Sequence, residues 1–539
     1  MKKNLLFLFL ISSFFVFSQE QDAWVYFKNK PDANVFLANP LSMLTQRSLD
    51  RRTNQNISLD IKDVPIHQPY YDQIASSTGI VIKAKSKWLN CVHVRGTQSD
   101  INALISLESV DRVDFADQSI NGSRGIAVIR PLNPVNKVLE TQTNFSYGNS
   151  ANQIEMLNGH LLHQQNFTGS GKIIAVLDAG FPGVDTAQPF QRLFDNNLIL
   201  GGYNYVDRIS NVYTQNSHGT LVLSIMGGFV DGQLVGTAPD ASYYLYITED
   251  ADTENPIEES NWVEAAEEAD RVGVDIITSS LGYFGYDNPA YSHTYEDMIG
   301  DKAFISRGAN IAFSRGIICV ASAGNNAQTF EPHVGLPAEA LNVLAIGAVK
   351  NDETYASFSS IGPSFDGRIK PDVAAQGQST TIATPSGNLS GNGNGTSFSG
   401  PIMAGMIASF WQSVPTLTNQ QVVDFVKQSA DRFSNPNAQF GYGIPDFQAA
   451  LNNVLGIQNN TKSNFLLSPN PANSIINVSF PNELKEAKIS FFNAVGQIIL
   501  EKNISEQYNV LNIENLNSGI YFYKIQNVFF SQSGKIIKN

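Results

Sequence analysis

The residues with the clearest chemical potential are a serine, a histidine, an aspartate and an asparagine, each at the edge of an apolar segment. Ser397 lies in Gly395-Thr396-Ser397-Phe398-Ser399-Gly400-Pro401, between a polar glycine-rich loop and the apolar run from Ile402 to Ala408. This places it at the start of a helix, where free N–H groups and the helix dipole favour a developing negative charge. A serine in such a loop also serves as an ordinary helix cap, so a nucleophile needs partners. Asp178 closes the apolar run Ile173-Ile174-Ala175-Val176-Leu177, and His218 stands in Ser217-His218-Gly219-Thr220 at the mouth of a second apolar helix. A serine hydroxyl becomes nucleophilic when an imidazole takes its proton, and a carboxylate must orient that imidazole and stabilise its charge. Asn325 ends Val320-Ala321-Ser322-Ala323-Gly324-Asn325 and brings an amide donor of the kind an oxyanion needs.

The elements that must position these groups read as α/β. Five consecutive apolar residues before Asp178 predict a strand buried on both faces, and α/β proteins place ligands and catalytic groups at the carboxyl ends of such strands. The chain order Asp178, His218, Ser397 is not the Ser, Asp, His order of the α/β-hydrolases. The serine loop is also not a G-x-S-x-G elbow, so a lipase or esterase reading fails twice.

These three motifs resemble those of the subtilase family of serine proteases, and the similarity runs in order from about 150 to 455. Val235-Gly236-Thr237-Ala238-Pro239, Asp275 to Gly282, Tyr355 to Ser360 and Lys370-Pro371-Asp372 are similar to further landmarks of that family. The resemblance implies an Asp178–His218–Ser397 triad, with Asn325 and the Ser397 N–H holding the oxyanion. It also implies that Ser280, Leu281 and Gly282 offer backbone groups to an extended peptide, and that Ala323 and Gly324 line the pocket before the cut bond. Leu221, Gln376, Phe398, Gly400 and Ile402 depart from the usual pattern, and none carries a proton in the mechanism. Phe398 next to the nucleophile leaves substrate preference open. No cofactor is required by this chemistry. Calcium is a further implication of the resemblance, with Glu249, Asp250, Asp252 and Asp287 as available carboxylates, but no stretch has a calcium-loop spacing and a solvated acidic surface is the plainer reading.

The 539 residues suffice for several domains. A formal net charge of −14 argues against nucleic acid or an anionic membrane as the main partner. The only cysteines, Cys91 and Cys319, predict no disulfide framework. Residues 1–18, with Lys2 and Lys3 before an apolar run, have the layout of a signal peptide, and no other stretch reads as a membrane span.

Residues 19–122 read as a small α/β domain similar to a subtilase propeptide, with strands at Ala23–Phe27, Cys91–Val94 and Val110–Phe115 and a helix capped by Asp100. His93 within it is read as structural. Residues 123–455 form the catalytic domain, 456–464 a linker, and 465–539 an all-β sandwich. Ser468-Pro469-Asn470-Pro471, Gly519-Ile520-Tyr521-Phe522 and the basic end Gly534 to Lys538 resemble a sorting domain of the type IX secretion system. A binding sandwich is the plainer alternative. The expectation is a secreted or cell-surface serine endopeptidase, made as a zymogen, acting on protein or peptide substrates and exported by the type IX machinery. A catalytically silent subtilase fold used as a binding module is the alternative. The mature N-terminus is expected between Asp117 and Asn149.

Overall fold

The structure, a computed structural model, describes residues 20–121, 144–456, 465–480, 486–493, 495–506, 509–527 and 530–539. The predicted signal peptide, residues 457–464 of the linker and most of the stretch expected to hold the maturation point lie outside these residues. The chain forms two compact units that divide between Leu451 and Asn452.

A four-stranded antiparallel sheet opens the first unit, in the order Val81–Ser86, Cys91–Thr97, Glu20–Phe27, Val110–Phe115. The helix before the last strand is Gln98–Ala103, and its cap is Thr97 rather than Asp100. The Thr97 hydroxyl oxygen accepts the Asp100 N–H at 3.2 Å, and its own proton goes to the Asp100 carboxylate at 2.7 Å. Thr97 precedes the first turn and can reach back into it, which Asp100 inside that turn cannot.

This small sheet packs on the helix Ile257–Val272. Trp24 donates to Ser260 Oγ at 2.8 Å and stacks on Phe304, and Glu267 accepts from Ser86 Oγ at 2.6 Å. His93 is structural, held between Asp22 at 3.0 Å and Ser260 at 2.8 Å. The helix Gln46–Asn54 adds a second grip, with the buried Arg51 and Arg52 both ion-paired to the buried Asp270.

A seven-stranded parallel sheet forms the centre of the unit. Its order is Val373–Gln376, Val343–Val349, Ile318–Ser322, Ile276–Ser279, Ile173–Asp178, Ser242–Ile247, Ile199–Asn204. Ala175, Leu177, Ile277 and Cys319 share a core with Trp262 and Phe304, while the alternating Ile174, Val176 and Val320 are equally buried. Both faces of the sheet are therefore covered, which is why its strands read as unbroken apolar runs. Strand order reverses around Ile173–Asp178, so the crevice at the carboxyl ends opens beside Asp178. Cys91 and Cys319 are both free and buried.

In the second unit, two antiparallel sheets of three and four strands enclose a core that includes Phe465, Ile476, Ile489, Phe491 and Ile525. The sandwich expected from turn spacing is present, with three more strands than the sequence suggested: Leu466–Ser468, Val510–Asn512 and Phe530–Lys538.

Candidate active site

Asp178 is wholly buried at the end of its strand, and one carboxylate oxygen accepts the Ala179 N–H at 2.8 Å. The same oxygen lies 2.7 Å from His218 Nδ1. His218 is the first residue of the helix His218–Gly227, and its N–H is capped by Asn216 Oδ1 at 2.9 Å. Gly219 permits this approach: a Cβ there would lie 2.5 Å from the Gly180 carbonyl and 3.0 Å from Asp178 Cβ. Burial alone would lower the His218 pKa, but the Asp178 charge and hydrogen bond, with help from Glu249, raise it above the ordinary value. The bond to Asp178 fixes the tautomer with the proton on Nδ1 and leaves Nε2 as the basic nitrogen.

Ser397 is the second residue of the almost entirely buried helix Thr396–Ser413. Its N–H belongs to the first turn and has no carbonyl four residues back within the helix. At the other end of the residue, the Ser397 carbonyl faces Pro401, which has no N–H to give it. Ser280, just past the strand Ile276–Ser279, supplies the missing donor: its Oγ donates to the Ser397 carbonyl at 2.9 Å. Ser397 Oγ in turn donates to the Ser280 carbonyl at 3.1 Å. Among the described residues Ser397 makes no hydrogen bond to His218, although the Phe398 and His218 rings are 6.3 Å apart.

Among the described residues Asn325 is held by one end only. Its Oδ1 accepts the Thr396 N–H at 2.9 Å and the Thr396 hydroxyl at 3.1 Å, while that hydroxyl accepts the Gly324 N–H at 3.1 Å. The Asn325 amide nitrogen is left as a donor beside the Ser397 N–H. Gly395, with φ of +150°, keeps the space between them open, since a Cβ there would lie 3.5 Å from Asn325 Nδ2 and 3.7 Å from Ser397 N. A carboxylate-oriented imidazole, a helix-mounted serine and two converging N–H donors together suit acyl transfer.

Residues 169–443 match the profile described as Subtilase family, half of the whole chain. The chain belongs to the subtilase family. It is a serine endopeptidase by that membership, and it is 32% identical over 300 residues to Subtilisin NAT of Bacillus subtilis subsp. natto, covering 55% of this chain and 70% of that protein. Subtilisin of Bacillus pumilus is 31% identical over 300 residues, 55% of this chain and 97% of that one. The crystal structure of the Epidermin Leader Peptide Processing Serine Protease from Staphylococcus aureus has the same fold, with a TM-score of 0.53, 15% identity, and coverage of 82% of this chain and 100% of that chain.

Two further matches frame the subtilase domain. Residues 22–130 match the Peptidase S8 propeptide domain of Bacteroidota, and residues 467–539 match the Secretion system C-terminal sorting domain. This subtilase is therefore made as a zymogen and carries a type IX sorting tail that marks it as secreted or cell-surface. No helix among the described residues is long and apolar enough to cross a membrane.

The other predicted site residues fall in two groups. Leu281 and Gly282 form no backbone hydrogen bonds among the described residues and leave an open edge, whereas Ser280 is tied to Ser397 through both its hydroxyl and its carbonyl. Ala323 is buried, and Gly324, with φ of +104°, would bring a Cβ within 2.9 Å of Ser360 Oγ. Of the four carboxylates considered for calcium, Asp250 accepts from Asp252 N–H at 3.2 Å and Thr253 Oγ1 at 2.8 Å, and Asp287 accepts the Glu254 N–H at 3.2 Å. These acids brace their own loop. Glu249 instead gathers with Glu254 and Glu258, a grouping that no sequence spacing announced. The role of Ser280 toward Pro401 was likewise missed, although a proline four residues after the serine was a readable signal of an orphaned carbonyl.

Proposed function

We propose that this subtilase cleaves peptide bonds through an acyl-enzyme on Ser397. Ser397 Oγ leaves the Ser280 carbonyl by rotation about its side-chain bond and attacks the scissile carbonyl carbon. His218 Nε2 takes the hydroxyl proton as the new C–O bond forms, and the oxyanion settles between Asn325 Nδ2 and the Ser397 N–H. The imidazolium, steadied by Asp178, returns the proton to the leaving amine as the C–N bond breaks. Water then attacks the ester with His218 again as base, which releases the acid and restores Ser397. An extended substrate adds as a strand along Leu281 and Gly282, whose backbone groups lie open. The C-terminal sandwich is read by the type IX machinery during export.

The observation that carries this reading is the 2.7 Å contact of His218 Nδ1 with a fully buried Asp178, beside the helix that presents Ser397. Hydrolysis of an unstructured protein such as casein tests it. Mature wild-type protein should degrade casein and Ser397→Ala should not. Equal, negligible hydrolysis by both would make the chain a silent binding module instead.

A further inference from the structure

The outer edge of the central sheet is built from tyrosine. Tyr244 and Tyr246 flank Leu245 in the strand Ser242–Ile247, and Tyr203 and Tyr205 flank Asn204 at the end of the edge strand Ile199–Asn204. Residues two apart on a strand share a face. The register sets Tyr203 opposite Tyr246, and Tyr244 and Tyr246 opposite Ala175 and Leu177. All four rings therefore lie on the face covered by the helix Ile257–Val272, where the neighbouring strands are apolar. Gly201, opposite Tyr244 on the edge strand, brings no side chain, and a Cβ there would meet only that ring, at 3.6 Å. One flank of Tyr244 is thereby left uncovered. The rings border a cavity of about 370 Å³ whose other walls include Arg208, Glu264 and Glu268.

Buried phenols elsewhere in the chain have partners. Tyr243 donates to the Ala238 carbonyl at 2.7 Å, Tyr286 donates to Glu259 at 2.8 Å, and Tyr26 accepts from Arg307 at 2.8 Å. Tyr205 and Tyr246 break this rule. They are 6% and 2% exposed and both line the cavity, yet neither hydroxyl has a hydrogen-bond partner among the described residues. Burial pushes both phenols above their ordinary pKa, with neighbouring phenol and glutamate charges adding to it, so each keeps a proton to donate. A buried hydroxyl left unpaired costs about 1–3 kcal/mol, so the cavity suits a ligand that forms hydrogen bonds.

The charges around the cavity are already balanced. Glu264 pairs with Arg208 at 2.7 Å and Glu268 with Arg271 at 2.6 Å. An organic cation would find aromatic faces but no uncompensated carboxylate, and an anion would meet two glutamates. An apolar ligand would leave the phenols unpaired. A neutral sugar meets each condition. The CH-rich face of a pyranose stacks on a tyrosine ring, and its hydroxyls, donors and acceptors at once, pair with phenols, carboxylate oxygens and guanidinium N–H groups. The volume is at the small end for ligand clefts, about 300–1,000 Å³, which fits a short saccharide unit.

We propose that the tyrosine-lined cleft between the sheet edge and the helix Ile257–Val272 binds a neutral saccharide. The half-buried Tyr203 and Tyr244 supply the stacking surface, and the Tyr205 and Tyr246 hydroxyls, with Glu264, take the sugar hydroxyls. The site shares no residue with the peptide cleft at Ser397, Leu281 and Gly282, so it gives this subtilase a separate hold on a glycan.

The test uses full-length Ser397→Ala protein, so that it needs no activity. Trisaccharides of glucose, mannose, galactose and N-acetylglucosamine are titrated in turn, with binding read by saturation-transfer NMR and calorimetry. At least one should bind, and Tyr244→Ala should weaken it at least fivefold. Tyr246→Phe removes one hydroxyl and keeps the ring; it should weaken binding without lowering the thermal unfolding midpoint, since that hydroxyl has no partner within the fold. No saccharide binding, or binding unchanged in both variants, would overturn the site. Binding of tetramethylammonium chloride where no saccharide binds would also overturn it, making the rings a cation cage. Protein-linked glycans and free polysaccharides present the same chemistry. Retention on an immobilised mannose-rich glycoprotein that is lost on deglycosylation would support the first source, and retention on insoluble polysaccharide alone would support the second.

Discussion

Replacing Ser280 by alanine should weaken the nucleophile helix through a carbonyl rather than through the serine hydroxyl. Pro401 deprives the Ser397 carbonyl of its helical donor, and Ser280 Oγ, 2.9 Å away on a residue 5% exposed, is the substitute. Removing it leaves a buried carbonyl unsatisfied, which costs about 1–3 kcal/mol. For a catalytic domain of about 330 residues that corresponds to a fall of roughly 1–4 °C in the unfolding midpoint. The Ser397→Ala background prevents self-digestion during scanning calorimetry. The same loss should shrink when Pro401→Ala restores an N–H at the helical position, since Ser280 is then no longer the sole donor. A double-mutant cycle between the two positions should therefore show a coupling of about 1 kcal/mol or more. Additive effects, or a Ser280→Ala protein as stable as its parent, would refute the compensation argument.

Further predictions concern pH and the propeptide interface. His218 acts as a base only when neutral, and its pKa is raised by Asp178 and Glu249 against the lowering effect of burial, so kcat/KM should rise with a midpoint above 6.5. Asp178→Asn should cut turnover sharply and move any residual midpoint downward, followed with a chromogenic peptide across pH 5–9. In stability terms a raised histidine contributes fully below pH 6.5 and loses that contribution as pH climbs through its folded value, so calorimetry on Ser397→Ala should show this part of the stability fading upward. Asp270→Asn leaves the buried Arg51 and Arg52 guanidinium groups without their shared carboxylate, a loss of about 3–5 kcal/mol. The cleaved propeptide should then separate from the catalytic domain on size-exclusion chromatography under conditions where the parent retains it.

Much of the site was legible because the signals are local. A strand buried on both faces leaves an unbroken apolar run, as in Ile173–Leu177, and its end locates Asp178 without knowledge of the neighbours. Helix mouths rich in glycine and serine did the same for His218 and Ser397. Local pattern misleads where the deciding partner is remote or the pattern is shared. Asp100 looked like a cap because Thr97, three residues earlier, ends a strand and starts the helix turn at once. Val81–Ser86 escaped notice since its lysines interrupt the apolar pattern on an edge strand, and Gly534–Lys538 read as a basic tail although it belongs to the last strand of the sandwich. The Glu249, Glu254 and Glu258 cluster joins a strand end to a loop and a helix, so only the fold reveals it.

The central claim is that Ser397 is the nucleophile served by His218 and Asp178. Its most direct test is to treat the mature enzyme with a fluorophosphonate, digest it, and locate the adduct by mass spectrometry. The account predicts a single phosphonylated serine at Ser397, with labelling slowed by at least a hundredfold in His218→Ala. An adduct on another serine, or full-rate labelling without His218, would contradict it.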